Sequence, residues 1–304
     1  MRRWRLALLV ALLLAGCGDG GGSAARLNEP DGSFAIADTT IDFVDTSRPT
    51  APNGGAPGSD SRRLHTIIYY PDAPGRFPLI VFSHGLGALA RIYAVILEAW
   101  AAEGYVVAAP DFPLSRATAP GGASYDDYVQ QPADQSFLID ELLRLDADPH
   151  SPLHGRIDRS HIGASGQSLG GLTTFGLTLN TCCRDRRIEA AVPMAGLLAP
   201  FPGGDYAGRG APPTLVIHGD ADDTVPYGDA LTAYDLLGAP KALLTHIGGG
   251  HILPYVGSGD RAAQLATIDA STAFFDLFLK RERGARERLL AVGARARVTL
   301  VADL

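Results

Sequence analysis

His161-Ile162-Gly163-Ala164-Ser165-Gly166-Gln167-Ser168-Leu169-Gly170-Gly171-Leu172-Thr173 joins two apolar runs through a cluster of small residues. Residues 161–165 are short, apolar and too few for a helix, which predicts a strand buried on both faces of a sheet. Residues 169–180 carry apolar side chains at helical spacing. The junction, Gly166-Gln167-Ser168-Leu169-Gly170, is therefore a strand-to-helix turn. A turn that tight leaves no room for side chains at its two glycines, and it holds the serine hydroxyl clear of the sheet. The helix that follows points its free N–H groups at the same place, where they favour negative charge.

Moving outward, the same alternation repeats. Continuous apolar runs at Leu79–Phe82, Tyr105–Ala109, Ala190–Met194, Thr214–Ile217 and Ala242–Ile247 predict further buried strands. Amphipathic stretches near 89–102, 133–146, 227–237 and 262–281 predict helices between them, which requires right-handed crossovers and helices on both faces. Upstream, 34–44 and 64–70 are expected as antiparallel edge strands, the second rich in β-branched and aromatic residues. Residues 115–128 show no period and are expected as a long loop over one end of the sheet. The expectation is an α/β domain with a mostly parallel central sheet of about eight strands, spanning 34–281, followed by a C-terminal extension over 282–304.

A G-x-S-x-G motif at a strand-to-helix turn is a nucleophile elbow. On this motif and this alternation, residues 60–280 resemble the α/β-hydrolase superfamily. Within it they are similar to bacterial esterases and lipases related to dienelactone hydrolases and platelet-activating-factor acetylhydrolases. The resemblance implies a triad in the chain order Ser, Asp or Glu, His, with Ser168 as nucleophile. After the strand 214–217 comes Gly219-Asp220-Ala221-Asp222-Asp223-Thr224-Val225-Pro226, similar to the family's G-x-x-D-x-x-V-P, which places the acid at Asp222 with Asp223 as runner-up. Asp220 and Asp223 are expected to be solvated or to cap the next helix. After the last core strand, Gly248-Gly249-Gly250 permit a loop that folds back, and His251 is the first ionisable side chain it carries. An imidazole, whose charge changes near neutral pH, is the side chain suited to act as general base. Ser83-His84-Gly85-Leu86-Gly87 resembles the family's H-G-x-G turn, which implies an oxyanion hole from the N–H groups of Leu86 and Leu169 with His84 structural.

These residues point to ester hydrolysis through an acyl-enzyme, with no metal or cofactor. An acyltransferase, a peptidase and a surface binding protein that kept the fold without activity are the competing readings. The expected substrate is a small-molecule or lipid-like ester of short to medium acyl length. Residues 112–131 and 195–211 are expected to wall the pocket, and the apolar run Pro193–Phe201 reads either as an acyl-binding wall or as a packed loop.

Composition sets bounds on the rest. A net charge of −7 gives no clustered excess of Lys and Arg, which sets nucleic acid aside as a partner. Arg2, Arg3 and Arg5 precede the apolar stretch Leu6–Leu14, which is too short to span a bilayer and reads as an export signal. Its end, Leu14-Ala15-Gly16-Cys17, resembles a bacterial lipobox. That implies lipidation at Cys17, a membrane anchor and a location in the bacterial cell envelope, with a secreted soluble form as the alternative. Residues 18–33 then act as a Gly-rich tether. Cys182-Cys183 is expected to stay reduced, to bridge to itself or to cross-link chains.

Overall fold

The computed structural model describes residues 34–257 and 259–304. The expected signal segment, Cys17 and the tether lie outside the described residues. Nine strands form one sheet: β1 (Ile36–Asp45), β2 (Arg62–Pro71), β3 (Phe77–Ser83), β4 (Val106–Asp111), β5 (Ile157–Gln167), β6 (Ile188–Met194), β7 (Thr214–Gly219), β8 (Lys241–His246) and β9 (Val298–Asp303). Their order is β1-β2-β4-β3-β5-β6-β7-β8-β9. Strands β3 to β8 run parallel, while β1, β2 and β9 are attached antiparallel at the two sides. This is the α/β-hydrolase fold.

Among the described residues, six α-helices cover both faces: α1 (Ala94–Ala102), α2 (Gln131–Ala147), α3 (Leu169–Leu179), α4 (Tyr227–Leu236), α5 (Arg261–Phe275) and α6 (Ala285–Val292). The two-residue period of a strand divides its side chains between the two sides. In β3, Ile80 and Phe82 pack with Trp100 of α1 and Phe274 of α5, while Leu79 and Val81 pack with Leu138 and Leu142 of α2. In β7, Leu215 and Ile217 join the first side, and Val216 packs with Ala230 and Ala233 of α4. Each such fully buried aliphatic side chain contributes roughly 1.5–3 kcal/mol. This double burial is why the strand segments read as unbroken apolar runs.

Three features differ from the sequence reading. The sheet has nine strands rather than about eight, because the residues set apart as an extension form α6 and β9. Leu289, Val292 and Val298 are in the core, and β9 pairs along the whole of β8. The helix expected over 262–281 is α-helical only to Phe275 and π-helical over Asp276–Lys280, ending where Arg281 adopts a left-handed conformation. The loop 115–128 leads into a short 3-10 turn, Tyr125–Val129.

The order of the parallel strands positions the site. β3 lies between β4 and β5, so the connections leave in opposite directions on its two sides, and a crevice opens at the carboxyl ends of the strands. The turn after β3 and the turn after β5 are neighbours there, with Ser83 in register with Gly166. The turns after β7 and β8 are neighbours in the same way, with Gly219 beside His246.

Candidate active site

Ser168 sits at φ 59° and ψ −118°, a strained conformation for a residue with a side chain. Its N–H donates to Met194 O at 2.9 Å, and its own carbonyl accepts from Leu172 N at 3.0 Å in the first turn of α3. The flanking glycines are sterically required. A Cβ on Gly166 would lie 2.3 Å from Gly170 O, and one on Gly170 would lie 1.8 Å from Ser83 O. Ser168 is partly exposed while Ser165, Gly166, Gln167 and Leu169 are buried, so the turn delivers one hydroxyl to the surface.

The loop after β8 folds back over the sheet and brings His251 to this hydroxyl. His251 Nε2 lies 2.8 Å from Ser168 Oγ, and His251 Nδ1 lies 2.7 Å from Asp222 Oδ2. Its close approach depends on Gly219, where a Cβ would lie 2.1 Å from Gly249 O. An ionised Asp222 can only accept, so Nδ1 carries the proton and Nε2 is free to accept from the serine. Asp222 Oδ1 accepts from the backbone N–H of Thr224 (2.9 Å) and Val225 (2.8 Å). Burial pushes the Asp222 carboxyl up, but hydrogen bonds from His218, His251 and Val225 outweigh it and hold the group well below the usual carboxylate range.

Of the three neighbouring aspartates, only Asp222 meets the histidine. Asp223 is exposed and contacts Thr224. Asp220 does not cap a helix; its Oδ1 accepts from Gly248 N at 2.6 Å and so fastens the histidine loop to the end of β7. The sequence reading missed His218, which is fully buried with Nε2 3.0 Å from Val225 O and 3.3 Å from Asp222 Oδ2. Its position four residues before the acid, at the end of a buried strand, is the signal that could have marked it.

The turn after β3 lies against the serine: a Cβ on Gly85 would be 3.3 Å from Ser168 Cβ. His84 is buried inside this turn. Its Nε2 accepts from Phe112 N (3.0 Å) and its Nδ1 donates to Gly85 O (2.8 Å), which fixes a neutral tautomer, and burial holds its pKa below the usual imidazole value. Among the described residues, neither Leu86 N–H nor Leu169 N–H donates to a protein acceptor.

An apolar cluster includes Leu169, the residue that follows Ser168. Leu169, Leu172, Ala199 and Phe201 form one cluster, against which Leu86, Tyr128, Leu197 and Tyr206 pack. Tyr128 Oη donates to Pro200 O, which ties residues 112–131 to residues 195–211. Cys182 and Cys183 are bonded to each other. A cleft of about 770 Å³, lined by Arg184, Arg209, Pro213, Phe278 and Arg281, lies at the opposite, amino end of β6 and β7 and is remote from these groups.

Fold and site together define a carboxylic ester hydrolase of the α/β-hydrolase type. The chlorophyllase family model matches residues 35–219, and the chain belongs to the chlorophyllase family. The match runs from β1 to the end of β7 and so includes Ser168 but stops short of Asp222 and His251. Among solved structures, a ferulic acid esterase from Streptomyces cinnamoneus is similar in fold, with a TM-score of 0.67 and 21% identity over 90% of this chain and 98% of that one. No curated protein matches the chain in sequence.

Proposed function

We propose that the protein cleaves esters through a covalent acyl-enzyme on Ser168, with His251 as general base and acid and Asp222 as the group that orients it. The observation that carries this reading is the line Ser168 Oγ, His251 Nε2, His251 Nδ1, Asp222 Oδ2, with separations of 2.8 Å and 2.7 Å at its two hydrogen bonds. Ser168 Oγ attacks the carbonyl carbon as its proton passes to His251 Nε2. The carbonyl oxygen gains negative charge facing the N–H groups of Leu86 and Leu169 and the amino end of α3. The C–O bond then breaks, and the alcohol leaves with the proton from His251. Water repeats the sequence: His251 takes its proton, hydroxide adds to the acyl carbon, and the acid departs as Ser168 recovers its hydrogen.

The apolar walls around Leu86, Tyr128, Leu197 and Phe201 support a substrate with an apolar acyl or alcohol portion, in the range of short- to medium-chain or lipid-like esters. The test is a panel of p-nitrophenyl acyl esters of increasing chain length, assayed with the parent, Ser168→Ala and His251→Ala. Loss of turnover in both variants is expected. A parent rate in Ser168→Ala would end the reading.

Attachment to the cell envelope through a lipid on Cys17 belongs to the same proposal and is supported by the lipobox-like sequence alone. In a bacterial host, Cys17→Ser is expected to move the protein from the membrane fraction to the soluble fraction.

A further inference from the structure

Gln167 precedes the nucleophile, yet its side chain is 1% exposed and turns away from solvent into the sheet end. Its Nε2 donates to the backbone carbonyl of His251 at 2.9 Å. Its Oε1 accepts from Tyr93 Oη at 2.7 Å, and Tyr93, itself 2% exposed, accepts from Gly85 N–H at 3.1 Å. The donor count fixes the orientation of every group. Tyr93 Oη accepts a hydrogen bond from Gly85 N–H, so its own O–H donates to the amide oxygen of Gln167, which leaves the amide nitrogen to donate to His251. The path from Gly85 to His251 is complete at each of its three hydrogen bonds.

These bonds join the turn after β3, the elbow after β5 and the loop after β8. The first two are adjacent, but β6 and β7 stand between β5 and β8. At the usual strand spacing, that separates the ends of β5 and β8 by about 14 Å. The loop carrying His251 must reach back across this distance, and Ile252 and Leu253 beside it are half-exposed and give it little packing. On the β5 side, the backbone of His251 is held by Gln167. The same side chain, through Tyr93, sets the position of Gly85, whose neighbour Leu86 supplies the expected oxyanion N–H.

We infer that Tyr93 and Gln167 are positioning residues that hold the general base and the oxyanion turn in register around Ser168. The inference rests on the proposed triad. Neither residue is among those forming the apolar wall, so their removal acts on the chemical step and leaves ground-state binding in place.

The test uses the full chain. Tyr93→Phe removes one oxygen, and Gln167→Met keeps the length of the side chain without its polar ends. Each is expected to lower kcat about 10- to 100-fold with KM within about threefold of the parent, the signature of an interaction that matters at the transition state. Because both break one path, the double variant is expected to fall no more than about threefold below the worse single variant. Gln167→Glu keeps an acceptor for Tyr93 but sets a negative charge beside His251, so the acid limb of kcat/KM against pH is expected to rise by about half a pH unit or more.

Tyr105→Phe is the control: it removes an equally buried phenol bonded to Asp276 at 2.7 Å, far from the site. It is expected to lower the melting temperature and leave kcat within twofold. The inference is overturned if Tyr93→Phe and Gln167→Met keep kcat within twofold of the parent while Ser168→Ala is inactive. It is equally overturned if their losses multiply in the double variant, or if kcat follows melting temperature on the same line as Tyr105→Phe. A parent rate in Ser168→Ala would overturn the triad itself. If Gln167→Met does not fold, Tyr93→Phe decides the question alone.

Discussion

The ring of His218 stands 3.3 Å from Asp222, Nε2 to Oδ2, so the carboxylate oxygen that faces His251 faces a second imidazole as well. With Thr224 N–H and Val225 N–H on the other oxygen, the contacts Asp222's carboxylate makes among the described residues are all to donors. Asp222→Asn would force an N–H against one of these donors and would no longer select the Nδ1–H tautomer of His251. We expect kcat to fall by on the order of 10⁴-fold with little change in KM, by analogy with acid-to-amide changes in other serine triads. Steady-state kinetics on one p-nitrophenyl ester measures this. A loss smaller than tenfold would remove Asp222 from the role given to it.

Gly170→Ala should fail for a reason unrelated to catalysis. The new Cβ would lie 1.8 Å from Ser83 O, which belongs to a central strand and has nowhere to move. A loss of about 3 kcal/mol or more is expected, in the range reserved for overpacked core sites. Urea unfolding followed by fluorescence would read it as a lower midpoint, or the variant would not be recovered in soluble form.

These two predictions draw on the part of the molecule that the sequence expressed most directly. Gly166, Ser168 and Gly170 are legible because the steric demand of their turn is local, set within five residues. Asp222 and His251 were reachable because each follows a buried apolar run at the same end of the sheet, and a parallel sheet brings such ends together. β9 was not legible in the same way. Val298–Asp303 is exposed along most of its length, so only its pairing with β8 makes it a strand. Tyr93 and Gln167 carry no local signal strong enough to separate them from ordinary buried polar residues. Their contacts run between segments that only the strand order makes neighbours.

His246 makes acid stability dependent on pH. It is buried at the end of β8, where Nε2 meets Thr267 Oγ1 at 2.9 Å and Nδ1 has no partner among the described residues. Burial pushes its pKa down to about 4, with the Arg297 charge adding a little to the fall and the Asp260 charge opposing it. Because the folded pKa is depressed, the unfolded chain takes up a proton from about pH 6.5 downward while the folded protein does not until about pH 4. Stability from this group is therefore lost as the pH falls across that window. At pH 5 the loss relative to pH 7 should be about 2 kcal/mol. His246→Gln, which keeps a polar partner for Thr267 without a titratable ring, should flatten the dependence by that amount in urea titrations at the two pH values. An unchanged slope would contradict the assignment.

The last prediction concerns residues 112–131, proposed as a wall of the site. Arg62, 1% exposed on β2, donates from Nε to Asp134 Oδ1 at 2.7 Å and from Nη2 to Asp134 Oδ2 at 2.6 Å and Asp127 Oδ1 at 3.0 Å. Asp127 in turn accepts from Leu114 N at 3.3 Å, and Arg48 reaches Asp134 at 2.7 Å. The buried Arg62 guanidinium thus ties β2 to residues 112–131 through Asp127 and to α2 through Asp134. Arg62→Met fills the same space but strands buried Asp127 and leaves Asp134 only Arg48, a change that costs about 3–5 kcal/mol when one partner of a buried pair is removed. Asp127→Asn and Asp134→Asn added to it should restore most of that stability, because the neutral amides no longer demand a counter-charge. The wall responds separately from stability. In the triple variant the tie between β2 and 112–131 is weaker even though the fold is recovered. KM for the longer acyl esters should therefore rise several-fold while kcat for the shortest stays near the parent value. Urea midpoints and chain-length kinetics on the same three proteins test both halves. A triple variant as unstable as Arg62→Met alone would show that the guanidinium acts through its packing and not through its charge.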